Sequence, residues 1–292
     1  MRILRNVYRR VRRLGTLAKL VATSQFEPIK AVRGGNALNK AGRLVLRGST
    51  NGQTVKIYEA ANVRHAKFIK QVIEHPHLAG IFPRVCDQQG PFIFSEWLSG
   101  VSLQQEIANS VATSSLEELV TMQNHVHQTP VIDLPPTCFD YWSDLLWPRF
   151  ARFADLLRIP DLVETVRQEV GAGLSLGPLM LMHPDVTVEN VLRVPGGRLC
   201  IIDNDALTTG KCLLIDACNT GYSLGTNSAE MYLRLYLKKS GYKPDSSTVS
   251  ALRAFWLARL VGSYCVAGCI REAQETIKSY KMGKNILPFT FA

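Results

Sequence analysis

His183-Pro184-Asp185-Val186-Thr187-Val188-Glu189-Asn190 is followed, a few residues on, by Leu199-Cys200-Ile201-Ile202-Asp203-Asn204-Asp205-Ala206. The first run reads as a loop carrying one carboxylate and one amide. Pro195-Gly196-Gly197 reads as the turn of a hairpin, because Pro and Gly punctuate local structure. The second run reads as an apolar strand that ends in another carboxylate.

Phosphoryl transfer needs those parts. One carboxylate orients the acceptor hydroxyl and takes its proton, while an amide and a second carboxylate hold Mg²⁺ on the phosphates. In the kinase signature an Asp is followed after four residues by an Asn, with the magnesium Asp downstream. Asp185 and Asn190 bracket four residues here, and Asp203 lies one hairpin later. The stretch resembles the catalytic loop and metal strand of the aminoglycoside phosphotransferase and choline kinase branch of the protein kinase-like fold. The resemblance implies Asp185 as catalytic base, Asn190 and Asp203 as magnesium ligands, and His183 as a brace of the loop. The bland alternative is that Asp185 caps a turn and Asp203 ends a strand by chance.

A chain of 292 residues is long enough for two lobes and a sizeable core. Hydrophobic content of 46% and charged content of 20% describe an ordinary folded protein and argue against wholesale disorder. The seven cysteines form no Cys-x-x-Cys pair and sit mostly in apolar runs. Reduced, buried thiols in a cytosol-like compartment are therefore expected over a disulfide framework. Cys265 and Cys269, four apart, are expected on one helical face. Ala254–Ile270, the longest nearly apolar segment, is interrupted by Arg259, Gly262 and Ser263 and reads as a buried helix, not a membrane span. The charged first twenty residues do not read as a secretory signal.

Net charge is +10, and Arg2, Arg5, Arg9, Arg10, Arg12, Arg13 and Lys19 supply seven of it before the first acid, Glu27. Ile3, Val7, Val11, Leu14, Ala18 and Val21 recur at three- and four-residue intervals, so residues 2–21 read as a basic amphipathic helix. Contact with an anionic membrane surface, packing on the rest of the chain and an organelle transit role all fit. Nucleic acid is not an expected partner, since aromatic residues do not interleave with the basic ones. The expected location is cytoplasmic, or peripheral at the inner face of a membrane.

From about Phe26 the pattern changes to short strands at Ile29–Arg33, Arg43–Arg47 and Gln53–Tyr58, with Ser49-Thr50-Asn51-Gly52 as a hairpin turn. A helix over Asn62–Glu74 follows. This is the order of a kinase N-lobe, and Val55-Lys56-Ile57-Tyr58 resembles its third strand, whose lysine reaches the nucleotide phosphates. Gly34 and Gly35 could approach phosphates through backbone amides, although no G-x-G-x-x-G is present. The family's helix usually carries a Glu paired to the strand lysine. Here the corresponding turn is Arg64-His65-Ala66-Lys67, and the acid is missing.

His75-Pro76-His77 reads as a turn, not a metal pair. Phe92–Gly100 reads as an apolar strand entering a hinge, where the resemblance makes Glu96, Trp97 and Leu98 candidates for binding adenine. Leu116, Leu119, Val120, Gln123 and His127 lie along one side of an amphipathic helix. His125 and His127, two apart, cannot clamp one metal. Phe139–Gly173 reads as helical and rich in aromatic residues, mostly core, with Asp144 and Asp155 either greeting a cationic acceptor or facing solvent. The link from Asp205 to Leu213-Leu214-Ile215-Asp216-Ala217 is short. In the resembled branch a similar Asp braces the catalytic loop, which makes Asp216 the candidate, and the short link argues against a protein substrate.

The expected architecture is α+β, a two-lobed protein kinase-like fold with a small antiparallel-sheet N-lobe and a helical C-lobe. Its expected segments are a basic helix at 1–25, an N-lobe at 26–98 and a C-lobe at 99–292. The expected activity is Mg²⁺-dependent transfer of the γ-phosphoryl of ATP or GTP to a hydroxyl of a small molecule, sugar or glycolipid headgroup. A nucleotide-binding pseudokinase that docks on membranes is the second reading, and a protein kinase is the third.

Overall fold

The computed structural model describes residues 15, 27–31, 45–50, 52–109, 113–173, 179–212 and 214–291. The basic helix expected over residues 2–21, residue 15 apart, and the Gly34-Gly35 turn lie outside the described residues. The chain divides into two compact units, Met1–Ser99 and Gly100–Ala292.

The first unit is built on a five-stranded antiparallel sheet. Its strands are β1 (Glu27–Ala31), β2 (Val45–Thr50), β3 (Gln53–Glu59), β4 (Val85–Gln89) and β5 (Phe92–Glu96), in the order β1-β2-β3-β5-β4. In the β2–β3 hairpin Thr50 pairs with Gln53, and Gly52 takes a positive φ of 74°, a conformation that glycine adopts at little cost. Alternation sorts β3: Val55 and Ile57 are buried and Lys56 points to the other face.

Helix α1 (Val63–Ile73) begins at Asn62, whose side chain accepts a 2.9 Å hydrogen bond from the His65 amide, an N-cap of about 1 kcal/mol. It buries His65, Ala66, Phe68, Ile69, Val72 and Ile73, one helical stripe. His75 caps the single 3₁₀ turn at Pro76–Leu78, its Nδ1 accepting from the His77 amide at 3.2 Å.

The second unit opens with β6 (Val101–Ser102), α2 (Leu103–Asn109) and α3 (Thr113–His127). A π-helical turn at Tyr141–Leu146 leads into α4 (Trp147–Ala151), α5 (Ala154–Leu157) and α6 (Pro160–Gly173). Strands β7 (Met180–Met182), β8 (Val191–Arg193), β9 (Leu199–Ile201) and β10 (Thr208–Gly210) form two small antiparallel sheets, β6-β8-β9 and β7-β10. Helices α7 (Leu214–Leu224), α8 (Thr226–Ser240), α9 (Ser246–Ala267) and α10 (Ile270–Lys281) complete the unit.

Its core holds Phe150, Tyr232, Tyr236, Phe255 and Trp256, all essentially without solvent contact. Burying an apolar side chain of this size contributes ~2–3 kcal/mol. Helix α6 lies so close to α9 that a Cβ at Gly173 would collide with Ala251. Arg193 anchors the β8–β9 hairpin, reaching Glu106 on α2 at 2.7 Å, Glu118 on α3 at 2.8 Å and the Gly197 carbonyl at 2.6 Å.

Three sequence expectations change. The apolar run Ala254–Ile270 is not one helix: Gly268, at φ 82°, ends α9, and α10 starts at Ile270. Cys265 therefore lies on α9 and Cys269 caps α10, so they do not share a helical face. Strand β10 was not expected, because Thr208-Thr209-Gly210 is too short to show a period.

Candidate active site

Strand β7, buried at all three residues, delivers the chain to His183. The loop that follows turns through a 3₁₀ helix at Val188–Asn190 into β8. The β8–β9 register pairs Val191 with Ile201, and the Ile202 amide donates to the Asn190 carbonyl at 2.9 Å. Asn190 and Asp203 are thereby brought to the same end of one hairpin. Asn190 Nδ2 donates to the Asp185 carbonyl at 3.1 Å, which closes the loop onto the hairpin. Local backbone pairing sets Asn190 near Asp203, and the Asn190 side chain ties the Asp185 backbone to that end of the hairpin.

Helix α7 holds this loop from behind. Asp216, Asn219, Thr220 and Ser223 share one helical face. Asp216 Oδ2 accepts from the His183 amide at 2.7 Å. Asn219 Nδ2 donates to the Pro184 carbonyl, and Thr220 Oγ1 donates to the Val186 carbonyl at 2.7 Å. Ser223 Oγ accepts from the Val188 amide at 3.1 Å. Buried backbone groups need partners, and here a helix side supplies them to a loop that has no ladder of its own.

A further layer fixes that helix face. Gln123 on α3 donates to Thr220 Oγ1 at 2.8 Å and accepts from the Tyr232 hydroxyl. His127 Nε2 lies 2.9 Å from Asp216 Oδ2, and Tyr236 Oη lies 2.9 Å from His127 Nδ1. With Nε2 donating to the carboxylate, Nδ1 accepts the tyrosine hydroxyl, which assigns the tautomer. His183 is buried, with Nε2 at 3.3 Å from Asn204 Oδ1. Burial pulls its pKa below 6.5, partly opposed by the Asp216 charge and the Asn204 contact, so the ring is neutral at pH 7.

The sequence did not single out Asn219, Thr220 or Ser223. Their signal was present as polar residues at three- and four-residue spacing in an otherwise apolar helix. Of the acids weighed for a cationic acceptor, Asp144 is exposed and accepts the Asp140 amide at 2.8 Å, and Asp155 is exposed. A cavity of about 230 Å³ adjoins the loop, lined by Tyr141, Met182, Pro184, Thr209, Lys211 and Phe255 among others.

In the first unit Lys56 is the central residue of β3, opposite Arg47 on β2 and Ser95 on β5. Its ammonium lies 5.3 Å from the Tyr58 ring centroid. Helix α1 carries no carboxylate, and Glu74 is its C-cap. At the strand end Glu96 is held twice by Arg84: the Glu96 amide donates to the Arg84 carbonyl, and the Arg84 amide donates to Glu96 Oε1, each at 2.9 Å. The Trp97 amide donates to the Thr54 carbonyl at 3.1 Å, and its indole lies under the Arg47 guanidinium at 4.6 Å. Among the described residues, the Leu98 backbone makes no hydrogen bond.

Mg²⁺ on a nucleotide takes one or two protein oxygens and fills its shell with phosphates and water. Among the described residues no group of three His, Cys, Asp or Glu side chains stands together as a ligand set. One carboxylate, Asp203, beside one amide, Asn190, suits a nucleotide-borne Mg²⁺. Asn190 Nδ2 donates to the Asp185 carbonyl, so Oδ1 is the side-chain atom with which Asn190 could meet a cation.

No protein-family model and no curated protein matches the sequence. Solved structures do. The choline kinase LicA from Streptococcus pneumoniae aligns at TM-score 0.60 and 13% identity over 92% of this chain and 99% of that one. A thermostable mutant of aminoglycoside phosphotransferase APH(4)-Ia, in ternary complex with ADP and hygromycin B, aligns at 0.57 and 13% over 91% and 96%. Spectinomycin phosphotransferase APH(9)-Ia, with ADP and spectinomycin, aligns at 0.51 and 16% over 88% and 87%. With its antiparallel-sheet first unit and helical second unit, this chain has the protein kinase-like fold of the aminoglycoside phosphotransferases and the choline and ethanolamine kinases.

Proposed function

We propose that this protein is a phosphotransferase that moves the γ-phosphoryl of ATP or GTP to a hydroxyl of a small molecule, sugar or glycolipid headgroup. The observation that carries the reading is the grouping of Asp185, Asn190 and Asp203 by the β8–β9 hairpin, on a loop clamped along one face of α7. The nucleotide is supported by the ADP in the two aminoglycoside phosphotransferase structures and by AMP in a second LicA structure.

In this reading Asp185 accepts a hydrogen bond from the acceptor hydroxyl and takes its proton as the oxygen attacks the γ-phosphorus. A new O–P bond forms, the bond to the β,γ-bridging oxygen breaks, and ADP or GDP leaves with the electron pair. Asn190 and Asp203 would hold Mg²⁺, which neutralises phosphate charge when bound. Lys56 would pin the phosphates, with Gly34 and Gly35 approaching them through their amides, and Leu98, beside Glu96 and Trp97, would offer its backbone to the base. His183 and Asp216 keep the loop in shape. Such catalysis is mostly positioning and charge neutralisation.

A nucleotide-binding scaffold is the second reading, favoured by the absence of a carboxylate on α1. No described helix is long and apolar enough to cross a membrane. The basic segment at residues 2–21 would attach the protein to an anionic membrane surface, which vesicle co-sedimentation of the full chain against a chain lacking residues 1–21 tests.

The deciding experiment is magnesium-dependent ATP turnover by wild type, Asp185→Ala and Asp203→Asn against sugars, aminoglycosides, amino alcohols and lipid-linked glycans. We expect Asp185→Ala to lower turnover by about 10²–10⁴-fold. Near-normal turnover in a folded variant would remove the role given to Asp185. Nucleotide binding without transfer to any acceptor would favour the scaffold.

A further inference from the structure

Lys56, given to the nucleotide phosphates in the reading above, lies on a sheet face that is poor in acids. Alternation and register put Arg47, Lys56, Tyr58, Ile93 and Ser95 together on one face of β2, β3 and β5. The two carboxylates of these strands fall on the opposite face, because Glu59 pairs with Phe92 and Glu96 with Val55. Helix α1, where the resembled family carries the acid that fixes this lysine, holds no Asp or Glu.

The face offers aromatic rings in their place. Tyr58 follows Lys56 by two residues on β3, and the Lys56 ammonium stands over its ring, 5.3 Å from the centroid. Tyr58 is only 2% exposed, so packing holds the ring in place. The arrangement recurs one strand away. Arg47, paired with Lys56 across the sheet, sets its guanidinium over the Trp97 ring, 4.6 Å from the centroid. Both distances lie within the ~6 Å over which the electron-rich face of a ring attracts a cation.

A ring and a carboxylate hold an ammonium with different consequences. A carboxylate cancels a positive charge. A ring attracts through its quadrupole and carries no net charge, so the ammonium keeps its full charge for a phosphate.

We propose that Tyr58 is the positioning residue of Lys56, its ring holding the ammonium where a nucleotide phosphate meets it, in the role of the missing helix acid. The inference rests on the role given to Lys56 in the phosphotransferase reading. Tyr58 acts through the lysine and takes no part in the chemical step. Fixing a rotamer-rich side chain in its bound geometry beforehand lowers the ordering cost of binding. The lack of an acid on α1, which favours a scaffold, then also fits an active enzyme.

The test uses the full chain and reads the binding of Mg-ATP and of adenosine by calorimetry, with magnesium-dependent ATP turnover alongside. Tyr58→Leu keeps an apolar side chain and removes the ring. It should weaken Mg-ATP binding by about 5- to 30-fold, the range for a partly desolvated cation over a ring. Adenosine has no phosphate for Lys56 to meet, and its affinity should change by less than about twofold. Tyr58→Phe restores a ring and should recover most of the loss. Trifluorophenylalanine in place of Tyr58 has nearly the shape of phenylalanine but a depleted ring face, and should lose that recovery. In a Lys56→Ala background, Tyr58→Leu should cost no further Mg-ATP affinity, which closes a double-mutant cycle. Circular dichroism checks that each variant folds.

The inference is overturned if Tyr58→Leu binds Mg-ATP as the wild type does, or if Tyr58→Phe recovers nothing. It is also overturned if the fluorinated ring matches phenylalanine, if adenosine affinity falls in parallel, or if the loss persists without Lys56. Should Tyr58→Leu not fold, the comparison of the two phenylalanine rings decides. Transfer to an acceptor with Mg-ATP binding that ignores Lys56 and Tyr58 would overturn the inference and leave the phosphotransferase reading intact. Ring-dependent Mg-ATP binding without any transfer would keep the role of Tyr58 and sink that reading. A wild type that binds no Mg-ATP would sink both.

Discussion

The backbone amide of His183 donates to the Asp216 carboxylate at 2.7 Å, tying the first residue of the candidate catalytic loop to the first turn of α7 across 33 residues of sequence. The same oxygen lies 2.9 Å from His127 Nε2, so one buried carboxylate serves a loop and a helix. Removing it strands two buried donors. We predict that Asp216→Ala lowers stability by about 2–6 kcal/mol, at about 1–3 kcal/mol for each buried donor left unsatisfied. Urea denaturation checks it, and a loss under about 1 kcal/mol would mean that the loop and His127 find other partners.

Thr220→Val probes the same clamp with almost no change of shape. Valine cannot donate to the Val186 carbonyl or accept from Gln123, contacts of 2.7 and 2.8 Å. We predict a stability loss of about 1–3 kcal/mol, the cost of leaving buried polar groups unsatisfied. Turnover should fall with it, because Val186 follows Asp185 directly. Full stability in denaturation would show that the hydroxyl is dispensable.

Hinge chemistry can be tested at one amide. The Glu96 and Trp97 amides are engaged by Arg84 and Thr54, whereas the Leu98 backbone is not hydrogen-bonded among the described residues. Leu98→Pro removes that N–H without breaking a sheet bond. We predict that nucleotide affinity falls by about tenfold, with Tm nearly unchanged. Unaltered ATP binding in calorimetry would move the base-binding role elsewhere.

The buried ring of His183 gives a pH signature. Burial holds its folded pKa below 6.5. As pH falls through 6.5 the unfolded chain takes up a proton that the native ring resists, so stability decreases toward acid. We predict that Tm declines between about pH 7 and pH 5, and that His183→Gln flattens part of that decline. Superimposable profiles for the two proteins would assign the pH dependence to other groups.

The order of short strands, one helix, an apolar strand, and a loop–hairpin–strand with Asp185, Asn190 and Asp203 at fixed spacing was legible in the sequence. These features rest on local rules: the period-two pattern of β3 and Pro-Gly-Gly at the hairpin turn. Local rules also place Asn190 beside Asp203, since a tight hairpin sets its own register.

Where distant segments meet, the tertiary structure decided. The four contacts from α7 to the candidate catalytic loop and the Gln123–Thr220 bond across 97 residues have no local signature. The same holds for the break at Gly268, which divides one apolar run into two helices. Spacing along a chain reports which side chains share a face of one element. Which element that face meets depends on packing between elements, and for this protein that packing fixes the candidate catalytic loop against α7.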